Sequence, residues 1–229
     1  IIPSIYNCRR GIDVVAGSFS DSIKFKYAYF KNDAPLSYYD KGLDFFVRLE
    51  DVDDTPTKFI SCKFENSHFT SGTERAAGVL GMRSGMHFVK GGSTTTTYSN
   101  PGTQQSCLVP NDPPNEFYGL KKGIWAHNLN VDQPTPVRIL ECSFDEVVLP
   151  ITASGCRNAL IYGNTITWDD VQTKPILAGP YNKLGVLNTW SWEPRIWENT
   201  ILNNENYDFK GVYTEQSWLQ SQHYKNTIN

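Results

Sequence analysis

The sequence predicts an all-β solenoid of short stacked strands, and three observations carry that prediction. Six segments share one pattern: an apolar residue, three positions later Ala, Cys or Asn, and two positions after that Phe or Ile. They are Phe25-Ala28-Phe30, Phe59-Cys62-Phe64, Ile139-Cys142-Phe144, Ile161-Asn164-Ile166, Ile196-Asn199-Ile201 and, with His in the apolar place, His223-Asn226-Ile228. Self-similarity of this kind marks a repeat architecture, because each unit buries its apolar residues only when a neighbour stacks on it. The second observation is composition within the segments, which are short, rich in Ile, Phe, Tyr and Thr, and bounded by Asn, Asp, Gly and Pro, as strands are. The third is that helical periodicity is poor throughout.

Taken in order, each repeated segment reads as one strand of a coil. A Gly joined to an aliphatic residue accompanies it, as in Gly11-Ile12, Gly42-Leu43, Gly78-Val79, Gly123-Ile124, Gly185-Val186 and Gly211-Val212. This pair reads as a second strand entered through a tight turn that Gly makes easy. A coil would then hold at least two strands and a turn. The anchors Phe30, Phe64, Phe144, Ile166, Ile201 and Ile228 are spaced irregularly, from 22 residues to 80. The longest interval has room for a degenerate coil over Gly85 to Val131, whose first strand is Met86-His87-Phe88-Val89. A polar, Thr/Pro/Gly-rich insertion at about 91–114 interrupts it, and shorter insertions fall near Asp51 to Pro56 and Asp169 to Tyr181. Such loops on a rigid scaffold are where function often sits. Roughly seven coils at about 4.8 Å per strand spacing give a rod about 35 Å long.

Composition bounds the function. The 229 residues show no break that would mark a linker, so residues 1–229 read as one elongated domain. Hydrophobic content is 39%, while 13% of residues are aromatic, including six Trp and twelve Tyr, which suits a thin core with much surface. A net charge of -3 and a pI near 5.8 argue against an electrostatic nucleic-acid binder. No run of about 18 apolar residues is present, so no membrane-inserted helix is expected. The chain opens on Ile1 without Met or a signal-peptide pattern, and His223 to Asn229 begin a repeat that is cut off, so the sequence reads as a segment of a longer parent chain. Other domains of that chain are therefore expected partners. Cys8, Cys62, Cys107, Cys142 and Cys156 are too few and irregular for a disulfide scaffold. Cys62 and Cys142 fill the small inward place of the repeat as buried thiols, and Cys142 with Cys156 would close a local loop in an oxidising compartment.

The inward Asn164, Asn199 and Asn226 resemble the asparagine ladder of right-handed parallel β-helix proteins, with Cys62 and Cys142 in the same structural column. The looser pattern is similar to long repeat proteins of bacterial surfaces, many of them exported by the type IX pathway. That resemblance implies a secreted or cell-surface protein that acts as a stalk or adhesin-like module and binds glycan or protein. It also admits an enzyme, because the fold hosts polysaccharide lyases and glycoside hydrolases. Hydrolysis needs two carboxylates about 5 to 9.5 Å apart. Glu141 and Glu198 occupy one column two coils apart, with Asp169 and Asp170 beyond another strand. The polygalacturonase-like signature is missing: Asn164-Thr165 and Asn199-Thr200 are followed by Ile, and no His-Gly occurs. Asp51, Asp53 and Asp54 are spaced somewhat like a calcium loop, yet the following Thr-Pro-Thr lacks further ligands. No cofactor is expected, and Ca2+ is the one metal that the acids suggest. No nucleophile elbow, phosphate loop or HExxH is found, and His68, His87, His127 and His223 are scattered.

The aromatic residues give the binding candidates: Trp168, Tyr181, Trp190 and Trp192, beside Asp169, Asp170, Glu193 and Glu198. Facing solvent on neighbouring coils they would form a platform for sugar rings, and facing inward they would fill the coil. Trp197, next to the inward Ile196, is expected near a corner. A third reading is a secreted fibre that assembles through an apolar lateral face.

Overall fold

The computed structural model describes residues 4–8, 10–17, 22–33, 43–52, 55–67, 77–90, 112–128, 137–168, 183–203, 209–216 and 222–229. Among these residues the chain is all strand, with no helix, and its 22 strands form three parallel sheets of eight, seven and seven strands. We call them sheets A, B and C. Consecutive strands fall on the three sheets in strict rotation: Ser4–Tyr6 in A, Arg10–Gly17 in B, Lys24–Lys26 in C, then Tyr29–Asn32 in A again. Every strand therefore pairs with the one three places before or after it, a β-solenoid-like arrangement.

Parallel pairing in register stacks equivalent side chains into columns, and alternation along each strand turns every second residue inward. In sheet A the inward column is Ile5, Phe30, Phe64, Phe117, Phe144, Ile166, Ile201 and Ile228. In sheet C it is Phe25, Phe59, Phe88, Ile139, Ile161, Ile196 and His223. Sheet B contributes Ile12, Val47, Val79, Ile124, Ile151, Val186 and Val212. Most of these side chains are fully buried and form one continuous core. The Phe rings stack: centroids lie 4.9 Å apart for Phe30 and Phe64, and 4.8 Å for Phe64 and Phe117 and for Phe117 and Phe144.

The repeated pattern differs from a single strand. Its first apolar residue sits in sheet C, its small residue at a corner, and its last residue in sheet A, so each copy spans two strands and the bend between them. The bend is made by the residue before the small one, which has a positive φ: Tyr27, Ser61, Glu141, Gly163, Glu198 and Lys225. The Gly-aliphatic pairs belong to a further strand, as expected, but their glycines do not make its entry turn. Gly11, Gly78, Gly123, Gly185 and Gly211 lie inside sheet B strands, with Phe46 and Pro150 in the same column. None of these five is among the positive-φ glycines, so crowding and not turning explains them. A Cβ on Gly123 would lie 2.5 Å from the Pro150 carbonyl oxygen and 2.8 Å from Cε1 of Phe144. Pro fits this column because the pairing skips it: Lys122 pairs with Leu149 and Ile124 with Ile151. Gly42 lies outside the described residues.

The long interval holds one more copy of the pattern, cut in two. Phe88 supplies its first residue in sheet C, and Asn115 and Phe117 supply the corner and sheet A residues. The insertion, of which residues 91–111 lie outside the described residues, separates them. Met86–Val89 is a strand of sheet C, as expected, and opens this copy of the pattern.

Amide ladders hold the corners. Cys62 N–H donates to Asn115 Oδ1 at 2.9 Å, and Cys142 N–H to Asn164 Oδ1 at 2.9 Å. Asn164 donates through N–H and Nδ2 to Asn199 Oδ1, and Asn199 does the same to Asn226 Oδ1. A second ladder runs along the corner between sheets B and C: Val52 N–H donates to Ser84 Oγ, Ser84 N–H to Asn128 Oδ1, and Cys156 N–H to Ser191 Oγ. Between A and B, Asn32 Nδ2 donates to Asn66 Oδ1 at 2.8 Å, and Asn66 Nδ2 to the Gly119 carbonyl at 3.1 Å. Buried amides satisfied in this way stabilise what they would otherwise cost. Cys142 and Cys156 sit on different corners as free thiols, which removes the local disulfide, and burial pushes both thiols up, Cys156 to about 12.

Candidate functional site

Among the described residues, the most solvent-exposed tryptophans lie together at the corner where sheet B passes to sheet C. Trp190 closes the strand Lys183–Thr189 in a left-handed conformation, φ 53°, and its N–H donates to the Glu215 carbonyl at 3.0 Å. Ser191 turns inward and is fully buried, its Oγ accepting from Cys156 N–H. Trp192 then turns outward, bridged in parallel to Arg157, whose guanidinium carbon lies 5.8 Å from the indole centroid. The result is two indoles, 49% and 40% exposed, on either side of an anchored serine. Their backbones are fixed by the ladder, so the rings are presented at little further ordering cost.

Trp168 does not join them. It is fully buried, donates from Nε1 to the Val147 carbonyl at 2.7 Å, and meets Phe209 edge-on at 5.8 Å. It is the fourth residue of Thr165–Trp168, so the alternation that buries Ile166 also buries it. Tyr181, Asp169 and Asp170 lie outside the described residues, as do Asp53, Asp54 and Cys107.

Glu141 and Glu198 stand at the corner between sheets C and A, not within a strand, and Gly163 occupies the same place on the coil between them. Two strand spacings separate their backbones by roughly 10 Å. Each carboxylate already has a partner: Lys90 Nζ lies 3.7 Å from Glu141, and the Tyr162 hydroxyl donates to Glu198 at 3.0 Å. Asp51 is taken by Arg83, which donates to both its oxygens and holds the carboxyl below its usual range. Among the described residues no group of three His, Cys, Asp or Glu could hold a metal ion.

Sequence reasoning missed a feature of sheet C's outer face. His87 lies there between Lys58 and Arg138 on the neighbouring strands. Burial, and then the charges of Arg138 and Lys58, push its imidazole from 6.5 down to about 4. In the unfolded chain the ring titrates near its ordinary value, so between those two pH values the folded protein binds fewer protons. The contribution to stability is complete above pH 6.5 and is lost as the pH falls through that window, by at most about 3 kcal/mol. Urea midpoints at pH 7.5 and pH 4.5 should therefore differ more for the wild type than for His87→Gln. Identical pH dependence in the two proteins would remove His87 as the cause.

No family model matches the chain, and no curated protein or solved structure matches it either.

Proposed function

We propose that the chain is a right-handed parallel β-helix of about seven coils, one domain of a secreted or cell-surface bacterial protein, that binds glycans without cleaving them. The observation that carries this reading is the pair of exposed indoles, Trp190 and Trp192, fixed to a hydrogen-bonded corner. Indole faces pack against the C–H faces of sugar rings, and Arg157 beside Trp192 offers donors to hydroxyl oxygens. The stack of coils acts as the stalk, and function is presentation of these rings.

The test is a glycan and polysaccharide panel scored for both binding and product release, with Trp190→Ala/Trp192→Ala alongside the wild type. Binding should fall at least tenfold in the variant, about 1.4 kcal/mol, with an unchanged melting temperature because both rings are exposed. Product release would overturn the reading and direct attention to Glu141 and Glu198. Unchanged binding in the variant would move the site elsewhere on the rod.

A further inference from the structure

The outer face of sheet C holds cations that have no counter-charge among the described residues. Lys24, Lys58 and Arg138 stand in one column on the first, second and fourth strands of the sheet, with His87, uncharged at neutral pH, between the last two; Leu160 and then Arg195 follow in the same column. Strand spacing puts neighbours about 4.8 Å apart, and like charges stacked in register repel. The seven strands of this sheet contain no Asp or Glu. Among the described residues Lys24, Lys58 and Arg138 have no ion-pair partner. The other faces behave differently. On sheet A, Lys31 pairs with Asp33 and Glu65, and Lys63 with Glu65 and Glu116. On sheet B, Arg48 pairs with Asp13 and Glu50. A chain with a net charge of -3 has acids to spare, yet none faces this column from its own sheet.

Beside the cations runs a second outward column, Leu140, Tyr162, Trp197 and Tyr224. Leu140 and Trp197 pack with Leu160 into a separate apolar cluster, and Arg195 lies 5.9 Å from the Trp197 ring centroid. Lys24, Lys58 and Arg138 thus occupy the first half of the face, and the aromatic rings, with Arg195 among them, the second. The Trp190–Trp192 corner adjoins the same face, since Arg195 comes three residues after Trp192.

We propose that the outer face of sheet C binds a linear acidic polysaccharide laid along the coil axis, its anionic groups on the Lys24, Lys58 and Arg138 column and its sugar rings on Tyr162 and Tyr224. The proposal rests on the glycan reading above and names the glycan's charge. A single column whose cations recur at one or two strand spacings suits a flexible single chain that carries anions along its length. Double-stranded DNA presents a charge about every 1.7 Å of its axis, too dense for this column to neutralise.

The experiment measures binding of the intact chain to polygalacturonate oligomers, heparin oligomers, neutral cello-oligosaccharides and a single-stranded oligonucleotide, each at low and high NaCl. Three proteins are compared: wild type, Lys58→Gln/Arg138→Gln and Trp190→Ala/Trp192→Ala. The wild type should prefer one or both acidic glycans at least tenfold over the neutral one and lose that preference at high salt, because the contacts are exposed to screening. Lys58→Gln/Arg138→Gln should lose the preference while keeping or raising the melting temperature, since it relieves repulsion. Equal binding of neutral and acidic glycans, an unaffected Lys/Arg variant, or tighter binding of the oligonucleotide would overturn the proposal. Retained acidic binding in the Trp variant, with loss in the Lys/Arg variant, would overturn the tryptophan platform and leave the cationic face standing.

Discussion

Phe117→Ala should destabilise the protein by about 3–5 kcal/mol, the range for removing a fully buried aromatic ring. The ring is stacked on both sides, 4.8 Å from Phe64 and 4.8 Å from Phe144, and meets Phe88 edge-on at 6.0 Å. Its flank also fills the space left by Gly78, where a Cβ would lie 2.9 Å from Cδ1 of Phe117. The cavity therefore opens towards two sheets at once, and no neighbour has the freedom to close it. In a stack whose units touch only their neighbours, such a loss weakens one interface more than the rest. Urea unfolding should show a lower midpoint, and hydrogen exchange should show the strands before Phe117 opening separately from those after it. Phe117→Ile, which installs the residue found at positions 166, 201 and 228 of the same column, should cost much less. A loss below about 1 kcal/mol for Phe117→Ala would mean that the Phe stack does not hold the halves together.

Asn199→Leu is expected to be nearly as damaging, although it keeps the branched shape and adds apolar surface. Asn199 Oδ1 accepts from Asn164 N–H at 3.0 Å and from Asn164 Nδ2 at 2.8 Å, while its own Nδ2 donates to the Ile161 carbonyl and to Asn226 Oδ1. Leu removes all four bonds and leaves the Asn164 N–H buried without an acceptor. An unsatisfied buried group costs about 1–3 kcal/mol, so a total of about 3 kcal/mol or more is expected. Asn199→Asp distinguishes the mechanism. It keeps the acceptor for Asn164 but sets a carboxylate oxygen against the Ile161 carbonyl, so its deficit should shrink at low pH as the carboxyl takes a proton. Equal deficits for Leu and Asp at every pH would indicate that packing, not hydrogen bonding, makes this position matter.

The apolar columns and the asparagine corner were legible because they recur at fixed spacing: Ile161, Asn164 and Ile166 repeat as Ile196, Asn199 and Ile201. Phe117 and Asn115 were not, because the insertion separates them from Phe88 and no sequence window contains the whole pattern. The third strand of each round was hidden for another reason. Its bends are made by Tyr27, Glu141, Glu198 and Trp190 in left-handed conformations, residues that carry no turn signal of their own. The ladder at the B to C corner mixes Val52, Ser84, Asn128, Cys156 and Ser191, so no single residue type marks it. Trp190 and Trp192 were recognisable as candidates, and alternation could have withdrawn Trp168, since it shares parity with Ile166. The column of Lys24, Lys58, His87 and Arg138 needed the register of sheet C, because intervals of 34, 29 and 51 residues show no period.

The divided repeat at Phe88 and Asn115 also bears on how this chain can change. Asn115 Nδ2 reaches back to the Phe59 and Val89 carbonyls, Tyr27 holds Asp112, and the Ser61 hydroxyl donates to the Pro113 carbonyl. The returning chain is thus received by coils already in place and does not depend on the residue that directly precedes it. Closure entropy grows only logarithmically with loop length, so residues added between Lys90 and Asp112 raise the entropic cost of closing this round only slightly. That corner is a natural graft point: foreign peptide placed there would be displayed beside sheet C while the register of every strand beyond it stayed the same.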